Sequence, residues 1–408
     1  MKVAGIIAEY NPFHRGHQYH IRETRRLTGA DYVIIVMSGN FTQRGQAALM
    51  DKYSRAKQAL ENGADLVLEL PVFFSTGSAN FFACGALSLL EKTGVVDYLS
   101  FGSEEGCLEK PRQIASFLQK EPDTYRKDLQ TGLKQGLSFP KARALALEKN
   151  IPGVDAAFLT HPNNILGIEY CNALLSLNSS IKPITIKRLH GNYHDAALSA
   201  EGYSSATAIR QNLKDKDLSL LKNHLPFSVY EMLRAEYGFT MPVKMNDFSG
   251  LLHYRLLMAK EDFSLYADVH KELADRICNQ LYSFKDYASF CDSLKTKELT
   301  HSRISRSLLH ILLDMKEEAL QRYKAEGYSR YGRILGFRRA ASPLLHQIKV
   351  HSCIPLISKL ADSASLLDSL AMTMLKTDIR AAHIYESVLS QKFSLPFRDE
   401  YRRQFPIL

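Results

Sequence analysis

The segment His14-Arg15-Gly16-His17 places two histidines around one glycine, soon after an apolar run that begins at Val3. Imidazoles donate hydrogen bonds to phosphate oxygens, and the N-terminus of a helix adds backbone N–H donors and a positive dipole end. We expect a strand to end before this segment and a helix to begin in it, so that both side chains face a nucleotide. The alternative is that the histidines only cap the helix.

The glycine pattern of the same loop excludes two common nucleotide sites. It contains neither G-x-G-x-x-G nor G-x-x-x-x-G-K-[ST]. Those spacings let the backbone wrap a pyrophosphate in dinucleotide dehydrogenases and in P-loop NTPases. The sequence therefore favours a site in which side chains, with His14 and His17 foremost, contact the phosphates.

A second polar group, Ser204-Ser205-Ala206-Thr207-Ala208-Ile209-Arg210, follows the last predicted strand of the first half. Hydroxyls at the start of a helix and a fixed guanidinium are suited to phosphate oxygens. Ser205, Thr207 and Arg210 are therefore candidate phosphate ligands. Taken alone, such a run is usually an ordinary N-cap.

Three further candidates lie at the same predicted edge of the sheet. Gly102 permits close approach of adenine or ribose to the backbone, Asn163 offers a hydrogen bond, and Arg188 offers a cation for phosphate. An N-cap and a solvated strand end are the respective alternatives for Asn163 and Arg188. The loop at 38–46 is predicted to hold the second substrate or to form a lid, and a plain surface loop fits it equally well.

Short apolar runs alternate with amphipathic segments through the first half, which is typical of parallel strands covered by helices on both faces. Gly29 and Gly63 stand where helix C-caps belong. The pattern predicts an α/β fold with a Rossmann-like, doubly wound parallel sheet and a site at the carboxyl ends of its strands. The predicted strands are 3–8, 32–37, 66–70, 98–101 and 184–189, and the predicted helices are 17–28, 52–63, 78–92, several within 108–148, and 164–177.

The pattern changes near residue 219 to long helical segments at 267–283, 300–320 and 362–390. Apolar runs at 334–337 and 354–357 predict one small strand pair among them. We expect a catalytic domain over 1–218 and a mainly helical domain over 219–408. Because no low-complexity linker joins them, they should pack together.

The chain has 408 residues and 52 Lys and Arg against 43 Asp and Glu, a net charge of +9 that favours a polyanionic partner. Its six cysteines lack the spacing of a zinc site, so we expect no metal site and reduced, buried thiols in a cytoplasmic protein. No apolar stretch approaches the ~20 residues of a membrane span, and the N-terminus lacks a signal-peptide pattern.

In this order, the motifs resemble the bacterial tRNA(Met) cytidine acetate ligases, a family of the HxGH nucleotidyltransferase superfamily. Ala206 departs from the hydroxyl residue usual at its place in the superfamily. The resemblance is carried by AEYNPFHRGHQYH (8–20), VMSGNFTQRGQAAL (36–49), ADLVLELP (64–71), FGSEEG (101–106), HPNNILGIEY (161–170), KRLHGNYHD (187–195), SSATAIR (204–210), SRISRSLLHILL (302–313) and YGRILGF (331–337).

The resemblance implies that ATP activates acetate as acetyl-adenylate, and that acetyl then passes to N4 of the wobble cytidine of elongator tRNA(Met). It implies Mg²⁺ on the phosphates, no use of acetyl-CoA and no obligate protein partner. It also implies His14 and His17 as catalytic residues. The nucleotide site that it implies consists of Ile7, Ala8, Glu9, Tyr10, Asn11, Pro12, Phe13, His14, Gly16, His17, His20, Gly102, Asn163, Arg188, Ser205, Thr207 and Arg210.

Residues 303–339 hold nine Lys and Arg against four acids, with tyrosines between them. Such a surface binds RNA phosphates, and its aromatic faces stack unpaired bases. The alternative is a basic solvated helix with core tyrosines. The expected tRNA-binding residues are Arg303, Arg306, Arg330, Arg333, Arg338 and Arg339, with Tyr323, Tyr328 and Tyr331 for stacking and Arg398, Arg402 and Arg403 as further phosphate contacts.

Two other functions share part of this pattern. One is an adenylyltransferase that moves AMP onto a phosphorylated small molecule, which would need no large basic appendage. The other is an RNA-binding adaptor with a vestigial nucleotide site, against which the intact pair His14 and His17 argues.

Overall fold

The computed structural model describes residues 1–189, 197–199, 202–213, 218–259 and 262–408. Its strands form one seven-stranded sheet, in which every neighbouring pair is parallel except one. The strands are β1 (Val3–Ala8), β2 (Tyr32–Ser38), β3 (Leu66–Leu70), β4 (Tyr98–Ser103), β5 (Lys182–Lys187), β6 (Gly332–Phe337) and β7 (Leu356–Ile357).

Helices of the first half cover both faces of this sheet. The best-defined ends carry polar caps: Asp51 accepts hydrogen bonds from the N–H groups of Tyr53 and Ser54, and Gly29 ends the first helix in the left-handed conformation. The helices are α1 (Arg15–Thr28), α2 (Lys52–Glu61), α3 (Val72–Ser75), α4 (Ala79–Lys92), α5 (Glu109–Lys120), α6 (Asp123–Lys134), α7 (Phe139–Asn150), α8 (Pro162–Ser176) and α9 (Ala206–Asn212).

The second half is mostly helical. The predicted segment 300–320 is two helices, because Asp314 adopts a left-handed conformation with φ 54° between them. The helices are α10 (Phe227–Glu236), α11 (Ser249–Met258), α12 (Lys271–Gln280), α13 (Tyr287–Ser293), α14 (His301–Leu312), α15 (Glu317–Ala325), α16 (Ser342–His351), α17 (Ser363–Leu366) and α18 (Ser369–Phe393).

The strand order β5-β4-β1-β2-β3-β6-β7 confirms the Rossmann-like α/β fold. Its first five strands are parallel and change direction of winding between β1 and β4, where such sheets bind ligands. The apolar runs predict these strands because residues such as Val33 and Ile35 are fully buried. Some boundaries differ: β4 continues to Ser103, and β5 ends at Lys187, so Arg188 lies just beyond the strand.

The strands of the second half, β6 and β7, pair with each other in parallel but do not form a separate sheet. β6 joins the sheet antiparallel to β3, and β7 extends it. Apolar residues from both halves also pack in one core. The predicted small strand pair is therefore present as β6 and β7, and it belongs to the main sheet.

The junction between β3 and β6 contains a buried ionic cluster. Arg333 is only 3% exposed and binds Glu69 at 3.1 Å and Glu400 at 2.7 Å. Lys52 binds the same two carboxylates, at 2.7 and 2.6 Å. Two cations and two anions thus neutralise each other inside the fold, which is the condition for burying them. The prediction that Arg333 binds tRNA is wrong, because its guanidinium cannot reach solvent.

Of the six cysteines, only Cys84, Cys171 and Cys291 are buried. Cys278 and Cys353 are exposed, which corrects the prediction of buried thiols. None of the helices in the described ranges has the length and apolar character that crossing a bilayer requires.

Candidate active site

The two predicted catalytic histidines meet at the start of α1. Their rings stack with centroids 3.7 Å apart and an interplanar angle of 25°. His14 is the N-cap, and its Nδ1 accepts a hydrogen bond from Gly16 N–H at 3.1 Å. The Nδ1 of His17 accepts one from His14 N–H at 3.3 Å. The helix start therefore fixes both rings through its own backbone donors.

These contacts define the proton positions on both rings. Burial lowers the pKa of His14 to about 3, with further lowering by Arg188 and Arg210. Burial, then His14 and Arg188, holds the pKa of His17 well below its usual value. A neutral imidazole whose Nδ1 accepts a hydrogen bond carries its proton on Nε2. Each histidine therefore offers one Nε2–H donor without adding a charge.

Gly16 lets the two rings adopt this arrangement. A Cβ at this position would stand 2.9 Å from Cε1 and 3.0 Å from Nδ1 of His14. Real side chains essentially never approach so closely, so any other residue would displace the imidazole. The glycine of the motif is explained by this contact.

His20 is one turn further along α1 and has a different role. Its Nε2 contacts Ser100 Oγ at 2.9 Å, and Ser100 Oγ contacts Thr24 Oγ1 at 2.7 Å. Thr24 Oγ1 donates its proton to the His20 carbonyl, so Ser100 donates to Thr24 and accepts from His20 Nε2–H. The Nε2–H group of His20 therefore donates to Ser100. Among the described residues, none accepts a hydrogen bond from Nε2 of His14 or His17.

The second polar group, residues 204–210, contacts the turn that carries the two histidines. Arg210 donates to the Asn11 carbonyl at 2.9 Å and to Thr207 Oγ1 at 3.0 Å. Ser205 caps α9 by accepting from Ala208 N–H at 3.0 Å. The segment is thereby tied to the turn that precedes α1, and its guanidinium is held beside His14.

Gly102, Asn163 and Arg188 lie at the same edge of the sheet, as predicted. A Cβ on Gly102 would meet only ordinary contacts, the nearest being Arg188 Cγ at 3.5 Å. The packing of the protein therefore does not require a glycine at position 102. The space beside Gly102 is part of a cleft and is open to a ligand. Asn163 Nδ2 donates to Glu104 at 2.6 Å, and Glu104 also accepts from the first N–H groups of α8.

These residues line one cleft of about 600 Å³ over the β1–β4 switch point. This volume lies within the range of small-molecule sites. Pro12, Phe13 and Thr207 are absent from its described lining: Phe13 is fully buried against Tyr10, and Thr207 supports Arg210. The predicted residues that line the cleft are Ile7, Ala8, Glu9, Tyr10, Asn11, His14, Gly16, His17, His20, Gly102, Asn163, Arg188, Ser205 and Arg210.

The loop at 38–46 packs firmly on α14 of the second half. Ser305 Oγ donates to the Gly45 carbonyl at 2.8 Å, and Gln46 Nε2 donates to Ser305 Oγ at 2.9 Å. Gly45 has φ 69°, and a Cβ there would lie 2.5 Å from Arg306 N. Thr300, Ser302 and Arg306 consequently form part of the cleft wall. The second half of the chain completes the cleft.

The predicted tRNA residues divide into several environments. Arg338 and Arg339 are exposed. Arg303 is half-buried on α14, where Arg306 binds Asp268 at 2.8 Å and lines the cleft. Arg330 pairs with Glu326 and Asp368.

The tyrosines and the C-terminal arginines need corrections. Tyr323 and Tyr331 are almost fully buried, so the prediction that they stack on bases is wrong. Arg398 binds Glu386 at 2.6 Å, and Arg403 binds Asp51 at 3.0 Å. Both arginines hold the C-terminal segment on the fold, whereas Arg402 is exposed.

Sequence reasoning missed Arg55 of α2, whose side chain binds backbone carbonyls beside the cleft. Its guanidinium is fully buried and donates to the carbonyls of Glu9 at 2.6 Å, Ser38 at 3.1 Å and Gly39. It thus joins the carboxyl ends of β1 and β2. A single arginine on an amphipathic helix reads as a surface residue, so no local signal identifies it. No local pattern identifies Tyr170, Thr300 or Ser302 as cleft residues either, so sequence reasoning also missed them.

The fold and the histidine site define a HIGH nucleotidyl transferase. The model of the family described as "HIGH Nucleotidyl Transferase" matches residues 1–398. The chain is 37% identical to the tRNA(Met) cytidine acetate ligase of Halothermothrix orenii, over 99% of this chain and 97% of that one. It is 41% identical to the enzyme of the same name from Caldicellulosiruptor saccharolyticus, over 94% of each chain.

Solved structures agree with these relatives. Thermotoga maritima TmcAL in its apo form has a TM-score of 0.93 and 33% identity, with all of both chains covered. The same protein bound with alpha-thio ATP has a TM-score of 0.91. The chain belongs to the tRNA(Met) cytidine acetate ligase family.

Proposed function

We propose that the protein activates acetate with ATP and transfers the acetyl group to the wobble cytidine of elongator tRNA(Met), in the cytoplasm. The observation that supports this most directly is the convergence of His14, His17, Arg188 and Arg210 on one cleft. The relative from Thermotoga maritima was solved with alpha-thio ATP, which supports ATP as the nucleotide. The finer assignments to acetyl-adenylate and to N4 of the base are part of this proposal.

In the first step, a carboxylate oxygen of acetate attacks the α-phosphorus and pyrophosphate leaves. Negative charge grows on the phosphate oxygens, so fixed donors aimed at them stabilise the transition state. The Nε2–H groups of His14 and His17 and the N-terminus of α1 supply neutral donors. Arg188 and Arg210 supply positive charge, and Gly102 and Asn163 border the space that we assign to the nucleoside.

We propose that Mg²⁺ arrives with the triphosphate. Among the residues that the structure describes, no group of three or more His, Cys, Asp and Glu is placed to hold a metal ion. Phosphate oxygens are good ligands for this cation, which usually keeps several waters as well. It would supply further charge neutralisation, while the protein residues bind and orient the nucleotide.

In the second step, the exocyclic amine of the cytidine attacks the acetyl carbon and AMP leaves. The tRNA would lie along the second half, whose α14 forms part of the cleft wall. Arg303, Arg306, Arg330, Arg338 and Arg339 stay candidates for its phosphates. Because α14 is in the wall, bound tRNA and bound nucleotide can meet without separating the two halves.

Isotope exchange between pyrophosphate and ATP tests the first step, and acetylation of purified tRNA(Met) tests the second. Exchange that requires acetate, followed by acetyl transfer to cytidine, is the expected result. Exchange that ignores acetate, together with adenylylation of a phosphorylated small molecule, would show that the protein is an adenylyltransferase of another kind.

A further inference from the structure

Glu9 is an anion in a cationic cleft. Among the described residues that line the cleft, it is the only carboxylate, beside Arg44, Lys187, Arg188, Arg210 and Arg306. No described residue forms an ion pair with it, although ion pairs are common elsewhere in the chain. A carboxylate in this position repels the phosphates of a bound triphosphate, because like charges repel. Its partner in the cleft should therefore be a hydrogen-bond donor.

The protein holds Glu9 firmly but leaves part of it available. Its carbonyl accepts from Arg55 at 2.6 Å, and its Oε1 accepts from Gln43 N–H at 2.8 Å. Oε2 has no hydrogen-bond partner among the described residues. The carboxylate therefore has a fixed orientation and one acceptor oxygen for a molecule in the cleft.

Tyr170 marks the same end of the cleft. It is 5% exposed, lines the cleft, and its hydroxyl has no hydrogen-bond partner within the described ranges. Burial raises the pKa of this hydroxyl well above its usual value, and the Glu9 carboxylate raises it further. Glu9 thus faces a neutral, sheltered region of the cleft as well as the cations.

Of the three substrates, two are anions at the groups that react. Acetate and the triphosphate both carry negative charge, and neither offers a donor to a carboxylate. The exocyclic amine of cytosine carries two N–H donors, and Glu or Asp is the usual acceptor for it in nucleic-acid recognition. Glu9 is therefore chemically matched to an amine such as that of the acceptor base, and not to acetate or to the phosphates.

The position of Glu9 agrees with this match. The loop residue that binds its Oε1, Gln43, lies in the loop that packs on α14. Thr300, Ser302 and Arg306 of the same region border the cleft. A base that enters from the second half would pass this wall before it meets the nucleotide.

We propose that Glu9 accepts a hydrogen bond from the N4 amine of the acceptor cytosine and takes its proton during acetyl transfer. This inference rests on the proposed function. The new C–N bond forms at the acetyl carbon, and the C–O bond to the α-phosphate breaks, so AMP leaves with the electron pair. One N4 proton passes to the Glu9 carboxylate and then to water, and no other reactant is needed.

The variant Glu9→Gln tests the assignment, because its amide oxygen keeps the bond to Gln43 N–H while the charge and the basicity are lost. The two half-reactions are measured separately: acetate-dependent exchange of pyrophosphate into ATP, and single-turnover acetylation of tRNA(Met). We expect transfer to slow by about 100-fold or more, the typical contribution of a general base, and exchange to fall much less.

Two further variants complete the experiment. Glu9→Asp keeps the carboxylate on a shorter side chain and should transfer faster than Glu9→Gln. Glu272→Gln removes an exposed carboxylate of α12 and should leave both half-reactions unchanged. Thermal unfolding of each variant checks that it is folded.

Equal losses of exchange and transfer in Glu9→Gln would overturn the inference, because Glu9 would then act on the nucleotide or on a metal bound to it. Unchanged transfer would overturn it as well. Absence of acetate-dependent exchange in the wild-type protein is a different result, since it would contradict the proposed function itself.

Discussion

His14 and His17 stack at the start of α1 with ring centroids 3.7 Å apart, and each turns its Nδ1 to a backbone N–H of the same turn. Two imidazolium ions at this distance would repel each other strongly. The arrangement is stable because both rings are neutral, and each neutral ring keeps an Nε2–H donor. The HxGH motif of this chain therefore holds two uncharged donors at the start of α1.

His17→Ala should abolish most of the acetate-dependent exchange. The loss of one preorganised donor costs about 2.7–4 kcal/mol of transition-state stabilisation, or roughly 100- to 1000-fold in rate. His20→Ala is the matched control, because the Nε2 proton of His20 is directed to Ser100. Its exchange rate should fall less. Equal losses in the two variants, measured at saturating ATP, would contradict the separate roles.

Gly16→Ala should impair exchange nearly as much as loss of a histidine. The added methyl would stand 2.9 Å from His14 Cε1, so the ring must leave its position. Gly250→Ala on α11 is the control, since nothing lies within 4 Å of a Cβ there. It should be neutral or slightly stabilising, because alanine is the better helix former. Full exchange activity in Gly16→Ala would refute this explanation of the motif.

The buried, neutral His14 should make the protein less stable in acid. Its pKa is about 3 in the folded chain. In the unfolded chain it is about 6.5, so below that pH the unfolded state binds a proton that the folded state refuses. The free energy of unfolding should fall by about 1.4 kcal/mol for each pH unit below ~6.5 for this residue.

Urea unfolding of wild type and His14→Gln at several pH values between about 7 and 5 measures this effect, and the variant should show the smaller loss. The same pKa shifts predict that exchange shows no histidine titration across this interval. Parallel stability curves for the two proteins would contradict the assignment.

Arg338→Ala combined with Arg339→Ala should weaken tRNA binding and leave exchange intact. Both side chains are exposed. Each lost phosphate contact reduces the slope of log K against log salt by about 0.7–0.9, so the double variant should lower it by roughly 1–2. Lys120→Ala with Lys127→Ala, exposed on α5 and α6, is the control. An unaltered salt slope would remove Arg338 and Arg339 from the tRNA surface.

Arg333→Met should behave differently from the exposed arginines. It leaves Glu69 and Glu400 with Lys52 as their remaining cation inside the fold. Breaking a buried ion pair in this way costs about 3–5 kcal/mol of stability. Denaturant unfolding should reveal this loss, while the salt slope of tRNA binding by the folded protein should not change. A stable variant with weak tRNA binding would reverse our correction.

Local sequence patterns were sufficient for the elements that carry the site. The runs that became β1, β2 and β3 are buried on both faces, and a continuous apolar run reports that environment. The polar residues after β1 and before α9 predicted the cleft, because the carboxyl ends of parallel strands meet at one edge. Here chain order alone determines which side chains come together.

Local sequence patterns could not predict which strands pair when they lie far apart in the chain. A short apolar strand such as β6 looks alike in any sheet, and its partner β3 is more than 250 residues away in the chain. The pairing depends on Arg333 and Glu69, which face each other only after folding. Likewise, Tyr323 and Tyr331 alternate with cations in the sequence, and their burial depends on helices that pack over them.

In the proposed function, the cleft activates acetate with ATP before the tRNA reacts. The most direct measurement is exchange of labelled pyrophosphate into ATP by the wild-type protein without tRNA, with and without acetate. We expect exchange that requires acetate and that is mostly abolished in His17→Ala. Exchange at the same rate without acetate, or none until tRNA is added, would contradict it.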